Sequence, residues 1–258
     1  MTTMTQAHKA RDFAALHVPG TPVVLYNIWD AGSARAIAEA GAKAIATGSW
    51  SVAAAHGYGD GEQIPMDLVL QIVARIAASV DLPVTLDFEG GYAEAPDEIT
   101  ANVARVIQAG AIGINFEDQV VGTGGLHSPD AQSARIAAVR RAAEAADVPL
   151  FINARTDLFL KQHDRAKHAG LVQQATERAE AYAQAGASGF FVPGLVDADL
   201  IGTICQATTL PVNAMMMTGA PPAADLAAAG VARISFGPGP YVAAMAGLAE
   251  RFGSALAD

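Results

Sequence analysis

Two acidic residues, Asp87 and Glu89, stand two positions apart at the end of an apolar run, and Gly90 and Gly91 follow them. Residues i and i+2 of a β-strand face the same side, so both carboxylates would point the same way, and the glycines would let the backbone turn just beyond. Two like charges on one face repel each other unless a cation lies between them. This stretch therefore predicts either a site for a hard divalent ion such as Mg²⁺ or an exposed strand end with two solvated acids.

Later apolar runs also end in polar residues, among them Glu117 and, at the end of the next run, Arg155. If the ends of these runs meet, the three acids Asp87, Glu89 and Glu117 would suit a divalent ion that bridges to an α-keto acid. Arg155 beside them would bind the carboxylate of that acid with two hydrogen bonds. An ion-pair network between Arg155 and Glu117 is the structural alternative. The other strand ends supply the candidate substrate-binding residues, which are Tyr26, Thr47, Gly48, Ser49, Trp50, Asn115 and Asn213.

An apolar strand followed by a helix recurs eight times along the chain. Continuous apolar strands, rather than alternating ones, are typical of parallel strands that are covered on both faces. Eight such units predict a single-domain (β/α)8 TIM barrel over residues 1–258, with a short helical leader at the N-terminus; a doubly wound open sheet is the alternative. The predicted strands are 23–28, 44–47, 84–88, 112–116, 150–154, 189–192, 212–216 and 233–236, and helices are predicted at 68–78, 99–108, 134–146 and 171–185.

Composition excludes several classes of protein. Hydrophobic residues make up 52% of the chain and charged residues 16%, which fits many buried strands rather than a disordered chain. A net charge of -10 without a cluster of basic residues argues against a nucleic-acid partner. The chain has neither an apolar run long enough to span a membrane nor a hydrophobic signal core, so we expect a cytoplasmic protein without a membrane partner. The single cysteine, Cys205, excludes an internal disulfide and a cysteine-based zinc site.

Five short motifs occur in a fixed order along the chain. They are Thr-Gly-Ser at 47–49, Gly-Tyr-Gly-Asp at 57–60, Asp-Phe-Glu-Gly-Gly-Tyr at 87–92, Asn-Phe-Glu-Asp-Gln at 115–119 and Asn-Ala-Arg-Thr-Asp at 153–157. Together they resemble the isocitrate lyase/phosphoenolpyruvate mutase superfamily, from about Tyr26 to the last strand. Its members are (β/α)8 barrels, usually dimers or tetramers that exchange their last helix. They use Mg²⁺ to make or break C–C or P–C bonds next to an enolised α-keto acid.

The resemblance implies a role for each matching residue. Asp87 would be the direct ligand of Mg²⁺, or of Mn²⁺, with Glu89 and Glu117 reaching the ion mainly through water. Asp60 would be a catalytic acid or base, Arg155 the carboxylate anchor, and the backbone of Gly48 and Ser49 would donate to the other end of the substrate. A homodimer or homotetramer acting on a small carboxylic acid is therefore expected.

The chain departs from the family pattern at two places. Glu89 stands where the family usually has aspartate. The loop after the fourth strand, residues 119–128, holds neither the Lys-Lys-Cys-Gly-His type of motif of the C–C lyases nor the lysine and asparagine of the mutases. His127 or Thr123 could replace the missing proton donor, since histidine titrates near neutral pH; an ordinary surface histidine is the alternative.

These residues predict an Mg²⁺-dependent lyase that cleaves a C–C bond of a small 2-oxo- or 2-hydroxy-carboxylic acid through an enolate. A mutase or hydrolase acting on a P–C bond, as with phosphonopyruvate, is one alternative, and a non-catalytic barrel that binds small acids is another. The polar segment 161–168, with its two histidines, is interpreted as a solvated connection. The last helix, 241–256, has apolar residues at a spacing that would cover its own barrel or that of a neighbour.

Overall fold

Eight parallel strands form the centre of the computed structural model, which describes residues 5–257. The strands pair in the order β1-β8-β7-β6-β5-β4-β3-β2. Between β1 and β2 the sheet closes through Ile28, whose amide donates to the carbonyl of Ala46 at 2.8 Å. The predicted single-domain (β/α)8 barrel is thus confirmed. The strands are β1 (Val23–Leu25), β2 (Ile45–Ala46), β3 (Val84–Asp87), β4 (Gly113–Glu117), β5 (Phe151–Arg155), β6 (Gly189–Phe191), β7 (Val212–Met215) and β8 (Arg233–Ser235).

The helices surround the sheet, and the predicted ones are present with shifted ends. The largest shift is at the helix predicted over 134–146, which begins at Pro129 because Ser128 Oγ accepts a hydrogen bond from the amide of Ala131 at 3.1 Å. The sequence did not predict the two short helices Ser49–Ala55 and Leu158–Lys161 or a 3₁₀ helix at Arg165–Leu171. The α-helices are α1 (Gln6–Ala15), α2 (Ala31–Glu39), α3 (Ser49–Ala55), α4 (Met66–Ser79), α5 (Pro96–Gln108), α6 (Pro129–Ala145), α7 (Leu158–Lys161), α8 (Val172–Gln184), α9 (Ala198–Ala207), α10 (Ala223–Ala228) and α11 (Gly239–Ala257).

The strand register brings the polar strand ends to one rim of the barrel. Asp87 pairs with Asn115, and Glu117 pairs with Arg155. One sequence argument is wrong in detail, because β3 ends at Asp87 and Glu89 lies in the following turn with a left-handed φ of 49°. The two acids therefore do not share a strand face, although both reach the same cavity.

Helix α1 lies across the amino-terminal end of the barrel. Phe13 is fully buried, and its ring centroid is 5.3 Å from that of Phe151. His17 stacks on the same Phe151 ring at 4.0 Å. The predicted helical leader is therefore an integral part of the base of the barrel, from Gln6 onward.

Helix α11 leaves most of its apolar residues exposed. Leu248 is 61% and Phe252 65% exposed, and Pro240 at the start is its only buried residue among those described. The outer face of β1 is also uncovered, with Val24 49% exposed. In a closed barrel the helix after the last strand usually packs over such a face. None of the helices described between residues 5 and 257 is long and apolar enough to cross a membrane.

Candidate active site

A cavity of about 660 Å³ opens at the carboxyl ends of the strands. This is the end at which barrels of this type carry their active sites. Its wall combines acids, cations and apolar side chains. Of the residues predicted from the sequence, those that line it are Gly48, Ser49, Trp50, Asp60, Asp87, Glu89, Glu117 and Arg155.

Asp87 is held in place by three hydrogen bonds to its carboxylate. Ser49 donates to Oδ2 from its amide at 3.0 Å and from its hydroxyl at 2.8 Å. Asn115 Nδ2 donates to Oδ1 at 3.2 Å. Thr47 Oγ1 accepts the backbone amide of Asp87 at 2.9 Å, so the end of β3 is fixed as well.

Glu89 faces the cavity from the turn after β3. Its Oε2 accepts the amide of Glu62 at 2.8 Å, and its side chain is buried. Burial raises the pKa of Glu89 to about 8, opposed by the Glu62 hydrogen bond and assisted by the negative charge of Asp87. Arg135 supports the turn from α6 by donating to the carbonyl of Gly90 at 2.5 Å.

Glu117 and Arg155 form an ion pair on neighbouring strands, with Nη1 and Oε2 2.9 Å apart. Arg155 also donates to both carboxylate oxygens of Asp157, from Nε at 2.6 Å and from Nη2 at 3.0 Å. Burial opposes the charge of Arg155, but Glu117 and Asp157 outweigh it and raise its pKa. Burial raises the pKa of Glu117 even though Arg155 acts against the change. The residues of this ion-pair network therefore also form part of the cavity wall.

Asp60 lines the cavity from the loop between α3 and α4 and remains open to solvent. Desolvation raises its pKa, and the negative charge of Asp87 adds to the rise, while Arg155 opposes it. A carboxyl group with a raised pKa can hold or accept a proton closer to neutral pH, which suits acid–base work.

The backbone amides of Gly48 and Ser49 were expected to donate to a substrate. Both amides already donate hydrogen bonds within the protein, that of Gly48 to the carbonyl of Ile28 at 3.1 Å and that of Ser49 to the carboxylate of Asp87. Both residues line the cavity, and donation of their amides to a substrate stays a prediction. Trp50 follows them at the cavity mouth and is partly exposed.

Four predicted substrate-binding residues lie outside the cavity lining. Tyr26 is 44% exposed on the outer side of the barrel, whereas Thr47, Asn115 and Asn213 are buried inside it. Thr47 and Asn115 support Asp87, and Asn213 Nδ2 donates to Ser235 Oγ, a cavity residue, at 3.0 Å. The contacts of the three buried residues thus support the cavity wall from behind.

His127, the predicted proton donor of the loop after β4, also lies outside the cavity lining. Its Nε2 is 3.4 Å from Glu94 Oε2, and its amide donates to the carbonyl of Asp118 at 2.8 Å. Burial lowers its pKa, with Arg135 contributing and Glu94 opposing. In this arrangement His127 connects the loop to its surroundings instead of facing the reacting groups.

Sequence reasoning missed two residues that reach the cavity from the segment after β5. Lys161 and His163 line it; His163 is exposed, as expected of a solvated connection, whereas Lys161 is half-buried. His168 is buried as well, with Nε2 2.8 Å from the carbonyl of Gln162. The signal available in the sequence was the proximity of Lys161 to Arg155, six positions earlier on the same strand–loop unit.

Asp87, Glu89 and Glu117 form a donor set that fits a hard divalent ion. All three line one cavity, and burial raises the pKa values of Glu89 and Glu117, with the negative charge of Asp87 adding to the rise. Within residues 5–257, no three His, Cys, Asp or Glu side chains already stand together as a complete metal site. Carboxylate oxygens are the ligands that Mg²⁺ prefers, and Mg²⁺ keeps part of its water shell when proteins bind it.

Comparison with known proteins gives a consistent family. The family model for phosphoenolpyruvate phosphomutase matches residues 13–256. An uncharacterised protein of Mycobacterium tuberculosis is 35% identical over 90% of this chain and 84% of its own length. The 2-methylisocitrate lyase of Escherichia coli K12 is 29% identical over 78% of this chain and 70% of its own length.

Solved structures agree with the family match. A protein of Burkholderia cenocepacia J2315, described only provisionally as a phosphonomutase, is 49% identical with a TM-score of 0.94, covering 97% of this chain and 100% of its own. Phosphonopyruvate hydrolase in complex with oxalate and Mg²⁺ has a TM-score of 0.80 over 95% of this chain and 86% of its own, and its 22% identity shows the fold alone. The chain belongs to the phosphoenolpyruvate phosphomutase family, within the isocitrate lyase/phosphoenolpyruvate mutase superfamily.

Proposed function

We propose that this protein is an Mg²⁺-dependent lyase that cleaves a C–C bond of a small 2-oxo- or 2-hydroxy-carboxylic acid through an enolate. The observation that carries the proposal is the convergence of Asp60, Asp87, Glu89 and Glu117 on one cavity beside Arg155. The superfamily comprises lyases, mutases and hydrolases that act on small acids, and 2-methylisocitrate lyase is a named relative.

In this proposal Arg155 and Glu117 exchange partners when ligands bind. Arg155 keeps its two hydrogen bonds to Asp157, which fix the plane of the guanidinium. Glu117, together with Asp87 and Glu89, would hold the ion, and Arg155 Nη1, now paired with Glu117, would then bind the substrate carboxylate. The exchange preserves the charge balance, because each departing ion-pair partner is replaced by a group of the same sign.

Asp60 moves the proton in this mechanism. It lies in the cavity wall, and its pKa is raised above its ordinary value by desolvation, which favours proton exchange with a bound ligand. When bound, Mg²⁺ would polarise the oxygen at C2 of the substrate and stabilise the negative charge that develops there.

Cleavage of a P–C bond is the second candidate, and Lys161 is the observation that favours it. The loop after β4 has no cation for a phosphoryl group, but Lys161 supplies one to the same cavity from the segment after β5. The Burkholderia relative described provisionally as a phosphonomutase supports this candidate.

One assay separates the two reactions. Protein freed of metal with a chelator and then supplied with Mg²⁺ is incubated with a panel of 2-oxo- and 2-hydroxy-di- and tricarboxylates and with phosphonopyruvate. A C–C lyase releases a 2-oxo acid without phosphate, and this is the expected result. Phosphate release, or isomerisation of phosphonopyruvate seen by ³¹P NMR, would establish the second candidate instead.

Asp87→Ala tests the metal assignment in the same assay. We expect it to abolish both turnover and Mg²⁺-dependent oxalate binding, since Asp87 is the acid that the structure orients most firmly. Asp97→Ala is the matched control, because Asp97 is an exposed aspartate on α5. Unchanged oxalate binding in Asp87→Ala would refute the site. Oxalate binding without turnover by the unaltered protein would leave a barrel that only binds small acids.

We also propose that the protein is a homodimer or homotetramer in which α11 packs on a neighbouring copy. The exposed apolar side of α11 and the exposed outer face of β1 support this, since each is an apolar surface of the kind that oligomer interfaces bury. Val18, Val24 and Tyr26 mark the uncovered face, which lines a surface groove together with Ile37.

A further inference from the structure

Lys161 brings an unpaired positive charge into the cavity. It is the half-buried last residue of α7, and its ammonium group donates to Gln119 Oε1 at 2.5 Å. Arg155, on the same wall, has carboxylate partners in Glu117 and Asp157. Lys161 forms no ion pair with any residue between 5 and 257. The charge of Lys161 is therefore available to a ligand.

The present partner of Lys161 is a neutral amide in a defined orientation. Gln119 Nε2 donates to Glu117 Oε1 at 3.2 Å, which leaves Oε1 to face Lys161. An ammonium group binds an anionic oxygen more strongly than an amide oxygen. An anionic group on a ligand would therefore displace Gln119 with a gain in binding free energy.

The same amide sets the spacing between Lys161 and the acid cluster. The side-chain amide of Gln119 bridges Lys161 to Glu117, so a single amide group separates the ammonium group from the carboxylate. Leu160, Phe191 and Met217 line the cavity and give it an apolar wall. This arrangement matches a short carbon skeleton with an oxygen-rich end at the acids and a second anionic group at Lys161.

We propose that Lys161 binds a distal anionic group of the substrate, a carboxylate or a phosphonate, and thereby selects acids that carry such a group over acids that lack it. The inference rests on the proposed function and specifies its substrate class. Lys161 would supply the cation for a distal anion, since the loop after β4 carries no lysine or asparagine.

Matched ligands test the role of Lys161. Malate and 2-hydroxybutyrate differ only in a distal carboxylate against a methyl group, and oxalate has no distal group. Calorimetric titration with saturating Mg²⁺ should show that Lys161→Met weakens malate binding about tenfold or more, as expected for a lost charge-assisted hydrogen bond. Oxalate and 2-hydroxybutyrate should stay within about twofold, because they do not reach Lys161. A parallel titration with 3-phosphonolactate shows which anion depends more on Lys161.

Two further variants keep the test specific. Lys161→Arg retains the cation and should retain most of the malate affinity. Lys167→Met removes an exposed lysine of the following 3₁₀ helix and should change none of the titrations. Equal losses for malate and oxalate in Lys161→Met, or no loss for malate and 3-phosphonolactate, would overturn the inference. If the unaltered protein fails to bind oxalate with Mg²⁺, the proposed function itself fails, and the inference fails with it.

Discussion

Arg233 Nη2 donates to Asn115 Oδ1 at 3.0 Å inside the barrel, where both side chains are buried. Asn153 Nδ2 donates to the same oxygen at 2.9 Å. These two donors fix the Asn115 amide so that its own Nδ2 points to Asp87 Oδ1. The orientation of the central carboxylate of the site is therefore determined in part by an arginine that the cavity does not expose.

Replacing Arg233 should separate function from stability. Burial lowers the pKa of Arg233 to about 9, partly offset by Asp87, and its Nε and Nη1 find no acceptor within the described chain. A buried cation without a carboxylate partner costs stability, so Arg233→Met should melt at the temperature of the unaltered protein or above it. Its Mg²⁺-dependent oxalate affinity should fall several-fold, because Asp87 loses a nearby cation and part of its support. Calorimetry measures both quantities. A clearly lower melting temperature with unchanged oxalate affinity would show that Arg233 serves packing alone.

His17 predicts a pH dependence of stability. Burial lowers its pKa from 6.5 to about 3, and Arg233 adds to the effect. Below pH 6.5 the unfolded chain therefore binds a proton at this histidine, whereas the folded protein binds it only at about pH 3. The histidine consequently costs the folded protein no stability above pH 6.5, and the free energy of unfolding falls progressively as the pH drops below 6.5. His17→Phe keeps the ring stacked on Phe151 and removes the titrating group. Between pH 6 and 4 the free energy of unfolding, from urea titrations, should fall less steeply in the variant, by about 1.4 kcal/mol per pH unit. Parallel slopes in the two proteins would contradict the prediction.

Substitution of Gly91 tests how strongly the turn that carries Glu89 depends on its backbone conformation. It has a φ of +90°, and an added Cβ would lie 2.9 Å from Phe116 Cε2. Gly91→Ala should lower the free energy of unfolding by about 2–4 kcal/mol, because backbone strain and a clash in the core act together. Gly57→Ala is the control, since Gly57 has a similar φ of +79° with no atom within 4 Å of an added Cβ. It should cost about 1–2 kcal/mol from the backbone alone. Equal costs for the two variants would show that Phe116 moves aside freely.

The assembly proposal predicts the effect of a charge on α11. Light scattering after gel filtration should give a dimer or tetramer for the unaltered protein. Phe252→Glu places a charge on the exposed apolar side of α11 and should release smaller species. Glu250→Lys changes a charge on the same exposed stretch of helix without entering that apolar side and should leave the mass unchanged. A monomeric unaltered protein would contradict the proposal.

The sequence predicted the barrel and the composition of its rim for a local reason. Each unit of strand and helix carries its own periodicity, helices α2, α5, α8 and α10 are followed by a glycine, and parallel units place every strand's carboxyl end at one rim. Asp87, Glu117 and Arg155 could therefore be grouped before any contact was known. Glu89 was grouped correctly by position, although a turn and not the strand carries it.

The tertiary structure decided which of these residues face the cavity and with which partners. Thr47 and Asn115 became supports of Asp87, and Lys161 entered the wall from a segment that composition alone marked as solvated. The amides of Gly48 and Ser49 donate to Ile28 and Asp87, which lie on the neighbouring strand units. Hydrogen-bond partners and side-chain direction depend on strands that are distant in sequence, so local patterns do not encode them. The sequence by itself determined the fold and the acid cluster of the site, whereas packing between strands and loops decided which side chains support that cluster and which cation stands opposite it.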